Sequence, residues 1–494
     1  MLRIHSLLSS LALLALAQSP AQAQWTQSFL STARRDIASV QVNGLALFAG
    51  GRNGTGLYAT VDAYHNASSA WVSIGNLSVA RTELASTALG NLAFFAGGAT
   101  STTTSTDVID IYDAFTNTWA TYNLSQARFA LSAITVGNKV IFAGGATGGP
   151  MTAVSSDRVD IYDSTVGPPN DPLAWSQKTL SQARGNIGAA TAGSQGVFAG
   201  GFTGTTATAT VDIYDDISGT WFLGPSLSTP RENYGSTIGV GSKAYIAGGR
   251  VNPGVVTDIL EIYDADTGAW TLESLSIARY RMGVVAISNT ILFAGGAETS
   301  VSGPLTFNVV DVFNHGTQTW QPQQNLSQAR YALGASGFGD KLLFAGGETG
   351  SGKTIVVDIY EPVGVNYCTP TANSTGNASA MLASGSNSLQ ANNLVLSADS
   401  LPVGQFGIFY HGDAQAQLPL GDGIRCVGGS IIRILPPALV GPNGNLVVAL
   451  DYATAGGQGI ASGVTRHFQA WYRDPTGGSA GFNFSDGISI TFTP

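Results

Sequence analysis

An all-β fold, a repeat array followed by a separate β module, is what the 494-residue sequence predicts. Three observations point to it. Short apolar runs broken by Gly and Asn recur along the chain, and no long helical pattern interrupts them. Glycine pairs stand at 50–51, 97–98, 144–145, 200–201, 248–249, 295–296 and 346–347, at spacings of 47 to 56 residues, a period typical of propellers and solenoids. After Glu361-Pro362 that pattern stops, and the 130 residues from 365 onward hold six Asp, four Arg and no Lys or Glu.

Residues 1–23 read as a secretory signal. Arg3 supplies the positive start, Leu7 to Ala17 is an apolar stretch too short to span a bilayer, and Ala21-Gln22-Ala23 has the form of a cleavage site. A secreted, periplasmic or cell-surface protein cleaved after Ala23 is expected, with no membrane-spanning segment. The formal charge is −9, and no Lys/Arg-rich stretch offers itself to a phosphate backbone, so no nucleic-acid partner is expected. In an oxidising compartment Cys368 and Cys426 are expected to form a disulfide local to the C-terminal module.

Within the repeats, a short apolar strand such as KVIFAGG precedes each glycine pair. Upstream stands L-S-x-[AP]-R, with its arginine at Arg34, Arg81, Arg128, Arg184, Arg231, Arg279 and Arg330. Each arginine falls 16 residues before the first glycine, or 17 in the fifth copy. Downstream comes an acidic residue two positions before an aromatic: Asp62/Tyr64, Asp110/Tyr112, Asp160/Tyr162, Asp212/Tyr214, Glu261/Tyr263, Asp311/Phe313 and Asp358/Tyr360. Trp71, Trp119, Trp221, Trp270 and Trp320 follow seven positions after their aromatic, and Trp175 is delayed by the insert around GPPNDPL.

A Gly-Gly pair followed by a Tyr and a Trp separated by six residues resembles the Kelch repeat, in seven copies over about 340 residues. The resemblance implies a seven-bladed Kelch-type β-propeller over 24–363, each blade a four-stranded antiparallel sheet. Trp25 precedes the first L-S-x-A-R without a glycine pair of its own, and Tyr360 has no Trp after it. The strand around Trp25 is therefore expected to complete the last blade, whereas six blades would leave one repeat unplaced. Residues 364–494, with runs such as FGIFYHG, NLVVALDY and GISITFTP, predict a β-sandwich-like module. The phrases NYCTPTANSTG, PLGDGIRCVGG and FQAWYRDP resemble a C-terminal module of large secreted proteins of planctomycete-like bacteria.

In an antiparallel blade the L-S-x-A-R segments and the loops after the glycine pairs share one face, so seven arginines are brought to one mouth of the central channel. Two roles are open for them. One arginine and one acidic residue per repeat fit a repeated structural ion pair. A positive mouth fits an acidic ligand. Positions that vary between repeats are better suited to choose a ligand, and Glu83, Asn186, Asn233, Tyr280, Arg281 and Tyr331 are the candidates. Aromatics beside carboxylates and amides suit a protein or a glycan. The preferred reading is an exported, monomeric, non-catalytic binding protein with no cofactor, no metal and no catalytic residues. The alternative is a secreted or periplasmic carbohydrate-active enzyme, such as a Kelch-type sugar mutarotase or an oxidase-like protein lacking the copper site. Residues 24–363 contain no Cys and only His65 and His315, so the ligands of a Kelch-like copper radical oxidase are missing.

Overall fold

The computed structural model of the chain describes residues 24–494 except 55, 67, 233–234, 253, 288, 300–302, 317, 339–340 and 442–443. The expected export signal lies outside the described residues. Strands dominate, and the two helical turns described, Pro172–Ala174 and Ala455–Gly457, are short 3-10 segments. No helix among the described residues is long and apolar enough to cross a membrane.

Seven four-stranded antiparallel sheets form between residues 24 and 361. The second repeat shows why. Ala85–Leu89, Leu92–Ala96, Val108–Asp113 and Thr118–Asn123 are short, rich in β-branched and apolar residues, and separated by turns, so each hydrogen-bonds to the next. The second strand of each repeat is buried over its last four residues; Phe94, Phe95 and Ala96 are fully enclosed. The sheets remain open, but their innermost strands touch in sequence, and Gly334–Phe338 of the last touches Ala38–Val42 of the first. Gln24–Phe29 pairs antiparallel with Val356–Glu361, with Trp25 opposite Tyr360. The seventh sheet thus combines the two ends of the array.

The glycine pairs join neighbouring sheets. The second N–H of each pair donates to the carbonyl of the next repeat's arginine, as from Gly98 to Arg128 at 2.8 Å and from Gly347 round to Arg34 at 2.9 Å. Gly97 has φ +63°, and a Cβ there would lie 2.4 Å from the Arg128 carbonyl oxygen, so only glycine allows this approach. Aromatic residues fill the space between sheets. The rings of Tyr112 and Trp119 meet at a tilt with centroids 5.1 Å apart and pack with Val61, Leu77 and Phe95 across two repeats.

Beyond residue 364 a six-stranded and a three-stranded sheet lie on a shared core. Phe409, Phe468, Tyr472 and Ile490 of the larger sheet pack with Met381, Leu396 and Leu446 of the smaller. Cys368 and Cys426 are joined by a disulfide, with their Cα atoms 6.0 Å apart. Asp486 is enclosed here, accepting hydrogen bonds from the Met381 N–H and the Asn366 amide. It also interacts with Asn314 of the sixth repeat, tying the module to the array.

Candidate functional site

The seven arginines are enclosed. Each is 0% exposed. Their carboxylate partners belong to the same repeat: Arg34–Asp62 at 2.7 Å, Arg81–Asp110 at 2.8 Å, Arg184–Asp212 at 2.7 Å, Arg231–Glu261 at 3.2 Å, Arg279–Asp311 at 2.8 Å and Arg330–Asp358 at 2.7 Å. Arg128 pairs with Asp160 in the same way. The guanidinium also donates to carbonyls of the second strand, as from Arg81 to Phe95 and from Arg330 to Phe344, both at 3.0 Å. The carboxylate in turn accepts the N–H of the serine in L-S-x-A-R, for example Ser78 on Asp110 at 3.1 Å. Burial pulls every one of these arginines below its ordinary value, that of Arg330 to about 10, while the carboxylates oppose the shift. They remain charged at neutral pH, and their charge is answered inside the sheets rather than displayed at the mouth.

Two positions after six of the seven arginines the backbone turns left-handed. Asp36, Glu83, Ala130, Asn186, Arg281 and Ala332 all have φ between 50° and 54°. Such a conformation is costly for a residue with a side chain and persists only where its surroundings impose it. Here a chain of backbone hydrogen bonds imposes it. The Ala332 N–H donates to the Arg281 carbonyl at 2.9 Å, Asp36 to Ala332 at 3.0 Å, Ala130 to Glu83 at 2.9 Å and Asn186 to Ala130 at 3.0 Å. Asn233, the equivalent in the fifth repeat, lies outside the described residues. These residues line a cavity of about 350 Å³ together with Ser39, Ser86, Ser132 and Thr237. Those four hydroxyls donate to neighbouring carbonyls at 2.7 to 2.9 Å.

Charges of both signs crowd one side of the cavity. Asp36 accepts from Arg281 at 2.7 Å and from Arg52 at 2.8 Å, with Arg35 at 3.4 Å. Burial alone would raise its carboxyl, but Arg281, Arg52 and Arg35 together outweigh burial and hold it below the ordinary range. Glu83 has Arg52 at 3.7 Å. Burial first and Asp36 second push the Glu83 carboxyl above its ordinary value, against the pull of the three arginines. Two carboxyls on one cavity are thereby driven apart in acidity.

The tyrosines stand beside this group. Tyr280 and Tyr331 have ring centroids 6.4 Å apart. The Tyr331 hydroxyl donates to Glu348 at 2.9 Å, and Arg35 contacts both groups and lies 5.5 Å over the Tyr331 ring. Burial, with Glu348 assisting against Arg35, pushes the Tyr331 hydroxyl up to about 12. On another side, Asn186 donates to Glu232 at 3.0 Å, and Glu232 pairs with Arg250 at 2.8 Å.

Arg35, Arg52, Glu348 and Arg250 were not among the sequence-derived candidates. A signal for them exists. The residue after each L-S-x-A-R arginine bridges to the residue after the glycine pair, as Arg35 does to Arg52, Glu232 to Arg250 and Tyr331 to Glu348. Reading both variable positions as one cross-strand pair would have brought them in. In the C-terminal module Tyr472 is fully buried and accepts from Asn373 at 3.1 Å, while Trp471 packs on Phe482.

No family model matches the chain. Over 108 residues, 21% of this chain, it is 29% identical to Kelch-like protein 28 of Mus musculus, and over the same length 28% identical to Kelch-like protein 28 of Homo sapiens. The matched stretch is 19% of each relative, so the chain spans about a fifth of the length of the curated proteins it matches. The similarity supports repeats of Kelch type, and the all-β architecture is consistent with a Kelch β-propeller.

Proposed function

We propose that the chain is an exported, seven-bladed Kelch-type propeller closed by its N-terminal strand, with a β-sandwich module over 364–494, and that it binds a protein or glycan ligand at the propeller mouth without catalysis. Kelch similarity supports a protein-binding propeller, and the disulfide is compatible with an extracellular protein. One observation carries the choice of site. Six residues carrying five kinds of side chain, with alanine twice, sit on one repeated backbone turn around one cavity. The invariant arginines serve as the frame of that site, with Tyr280 and Tyr331 buried beside it rather than lining it, and Glu83, Asn186 and Arg281 serve as its reading surface. Asn233 belongs with them by register.

The test is a peptide and glycan array probed with residues 24–494, alongside Glu83→Ala and Asn186→Ala variants. Loss of the array signal in both variants at unchanged melting temperature is the expected result. A ligand whose binding ignores both substitutions overturns the site. A second reading has one observation in its favour, the opposed acidities of Asp36 and Glu83, which suit an acid/base pair for sugar mutarotation. Catalysed anomer exchange, followed by NMR with simple aldoses and abolished in Glu83→Gln, would replace the binding reading with this one.

A further inference from the structure

Most of the polar side chains around the mouth cavity have no proton left for an occupant. Ser39, Ser86, Ser132 and Thr237 donate to the carbonyls of Ala335, Ser39, Ile187 and Ala189. A hydroxyl has a single proton, so each of the four offers only lone pairs. Asn186 gives an amide N–H to Glu232 at 3.0 Å. Among the described residues the charged side chains that line the cavity are Asp36, Glu83 and Arg281. Asp36 and Arg281 answer each other at 2.7 Å.

Glu83 is left over. Its carboxyl accepts no hydrogen bond among the described residues. The Arg52 guanidinium lies 3.7 Å from it, beyond hydrogen-bond reach, and directs its Nε to Asp36 at 2.8 Å. Burial and then Asp36 raise this carboxyl, and Arg281, Arg52 and Arg35 do not make up the difference. The wall of the cavity thus holds two carboxyls against one guanidinium, and acceptors in excess of donors.

We propose that the mouth cavity receives the primary ammonium of a lysine side chain from a basic protein partner, seated on the Glu83 carboxylate. The proposal rests on the mouth being the binding site and names the chemistry of its ligand. An ammonium brings three protons and no lone pair, the complement of this wall. One proton makes a charge-assisted bond to Glu83, and the cavity hydroxyls have lone pairs for the others. The cation also brings the charges lining the cavity into balance. Lysine suits the place better than arginine, because a single carboxylate answers a compact point charge and not a planar fork.

The rim favours a protein over a free amine or an amino sugar. Met151, Val154, Val255 and Leu305 stand exposed on the loops after the third, fifth and sixth glycine pairs. Those loops leave the sheets on the cavity's face, since the residue after each pair bridges to the residue after the arginine, as Ala146 does to Phe129 and Ala297 to Tyr280. Apolar tips around a charged centre match a lysine flanked by apolar side chains. The formal charge of −9 on the chain attracts a basic partner.

The experiment places lysine-bearing peptides, their Nε-acetyl-lysine twins and acidic peptides on one array, probed with residues 24–494. Mouth ligands are those whose signal falls in Asn186→Ala. These are expected to carry lysine and to lose their signal on acetylation, which removes the charge. Calorimetry with the strongest lysine peptide then compares the parent with Glu83→Gln, which keeps the shape of the side chain. The variant is expected to bind about tenfold or more weakly and to melt no lower than the parent. The groups facing Glu83 are Asp36, Arg281, Arg52 and Arg35, and Asp36 is held below the ordinary carboxylate range. Glu83 is therefore the carboxyl of this set whose ionisation binding awaits, and the parent's affinity should rise from about pH 4 to about pH 7 while that of Glu83→Gln stays level. Equal binding of acetylated twins, a preference of the mouth for acidic peptides, undiminished binding by Glu83→Gln, or displacement of the lysine peptide by glucosamine at equal or lower concentration each overturns the proposal and leaves the mouth as the site. An array on which no signal falls in Asn186→Ala overturns the mouth and the proposal together.

Discussion

Arg128 donates to the carbonyls of Gly144 and Arg158 at 2.6 Å and pairs with Asp160, all within the third repeat. Truncating it leaves a buried carboxylate and two carbonyls without their donor. Arg128→Ala is expected to destabilise the protein by about 3–5 kcal/mol in chemical denaturation, with ligand contacts at the mouth altered only through folding. Glu83 behaves in the opposite sense. Its carboxyl lies above the ordinary value of 4.5, so the native state holds that proton more tightly than the unfolded chain. The stability it contributes is complete below the ordinary value and is lost as pH rises through the folded value. Glu83→Gln should therefore gain melting temperature relative to the parent as pH is raised from about 4 to about 7. A difference that shrinks over that range would contradict the placement of Glu83 against Asp36. The spacing of arginines and acidic residues was legible in the sequence, and so was the possibility that they pair. Which way the guanidiniums point was not, because it depends on carbonyls of the second strand and on burial. Nor was the left-handed turn at Asp36, Glu83 and Arg281 visible, since none of these residues advertises positive φ as glycine does.

At the scale of the element, the strand Gln24–Phe29 has one partner, Val356–Glu361, and no second neighbour in its sheet. Trp25 packs on Phe344 and Tyr360 at 6.0 and 5.0 Å, so its indole links the first strand to the last repeat. Trp25→Ala is expected to lower stability by about 3–5 kcal/mol. Removal of residues 24–29 should lower the melting temperature further and broaden the transition, which calorimetry would register. A truncated chain that melts like the parent would show that this pairing contributes nothing. The expectation that the Trp25 strand joins the strand at Tyr360 came from counting alone, because the repeat motif starts and stops in different phases at the two ends. Strand positions in the repeats were legible for the same reason: seven copies of one pattern correct one another. The C-terminal module offers a single copy, and its division into a six-stranded and a three-stranded sheet depends on pairings far apart in sequence, such as Val365 with Ser489.

The molecule as a whole combines an array in which each sheet leans on its neighbours with a module closed by a covalent link. The Cys368–Cys426 bridge spans 58 residues inside that module. Reduction, or the double Cys→Ser variant, is expected to remove about 2–4 kcal/mol from the module while leaving the array's transition in place. Two calorimetric transitions of which only one moves would show this, and a shift of both would mean that the contact through Asp486 and Asn314 couples them. The pairing of the first strand with the last repeat has a further consequence, in time rather than in space. Gln24–Phe29 is made first, and its partner strand is made some 330 residues later, which at about 5–20 residues per second is a delay of roughly 20–60 s. Until then the growing chain is an open arc with an unmatched strand at one end. Two such chains meeting before either pairing forms can exchange their first strands, so crowded synthesis should yield interlocked dimers with the same contacts as the single chain.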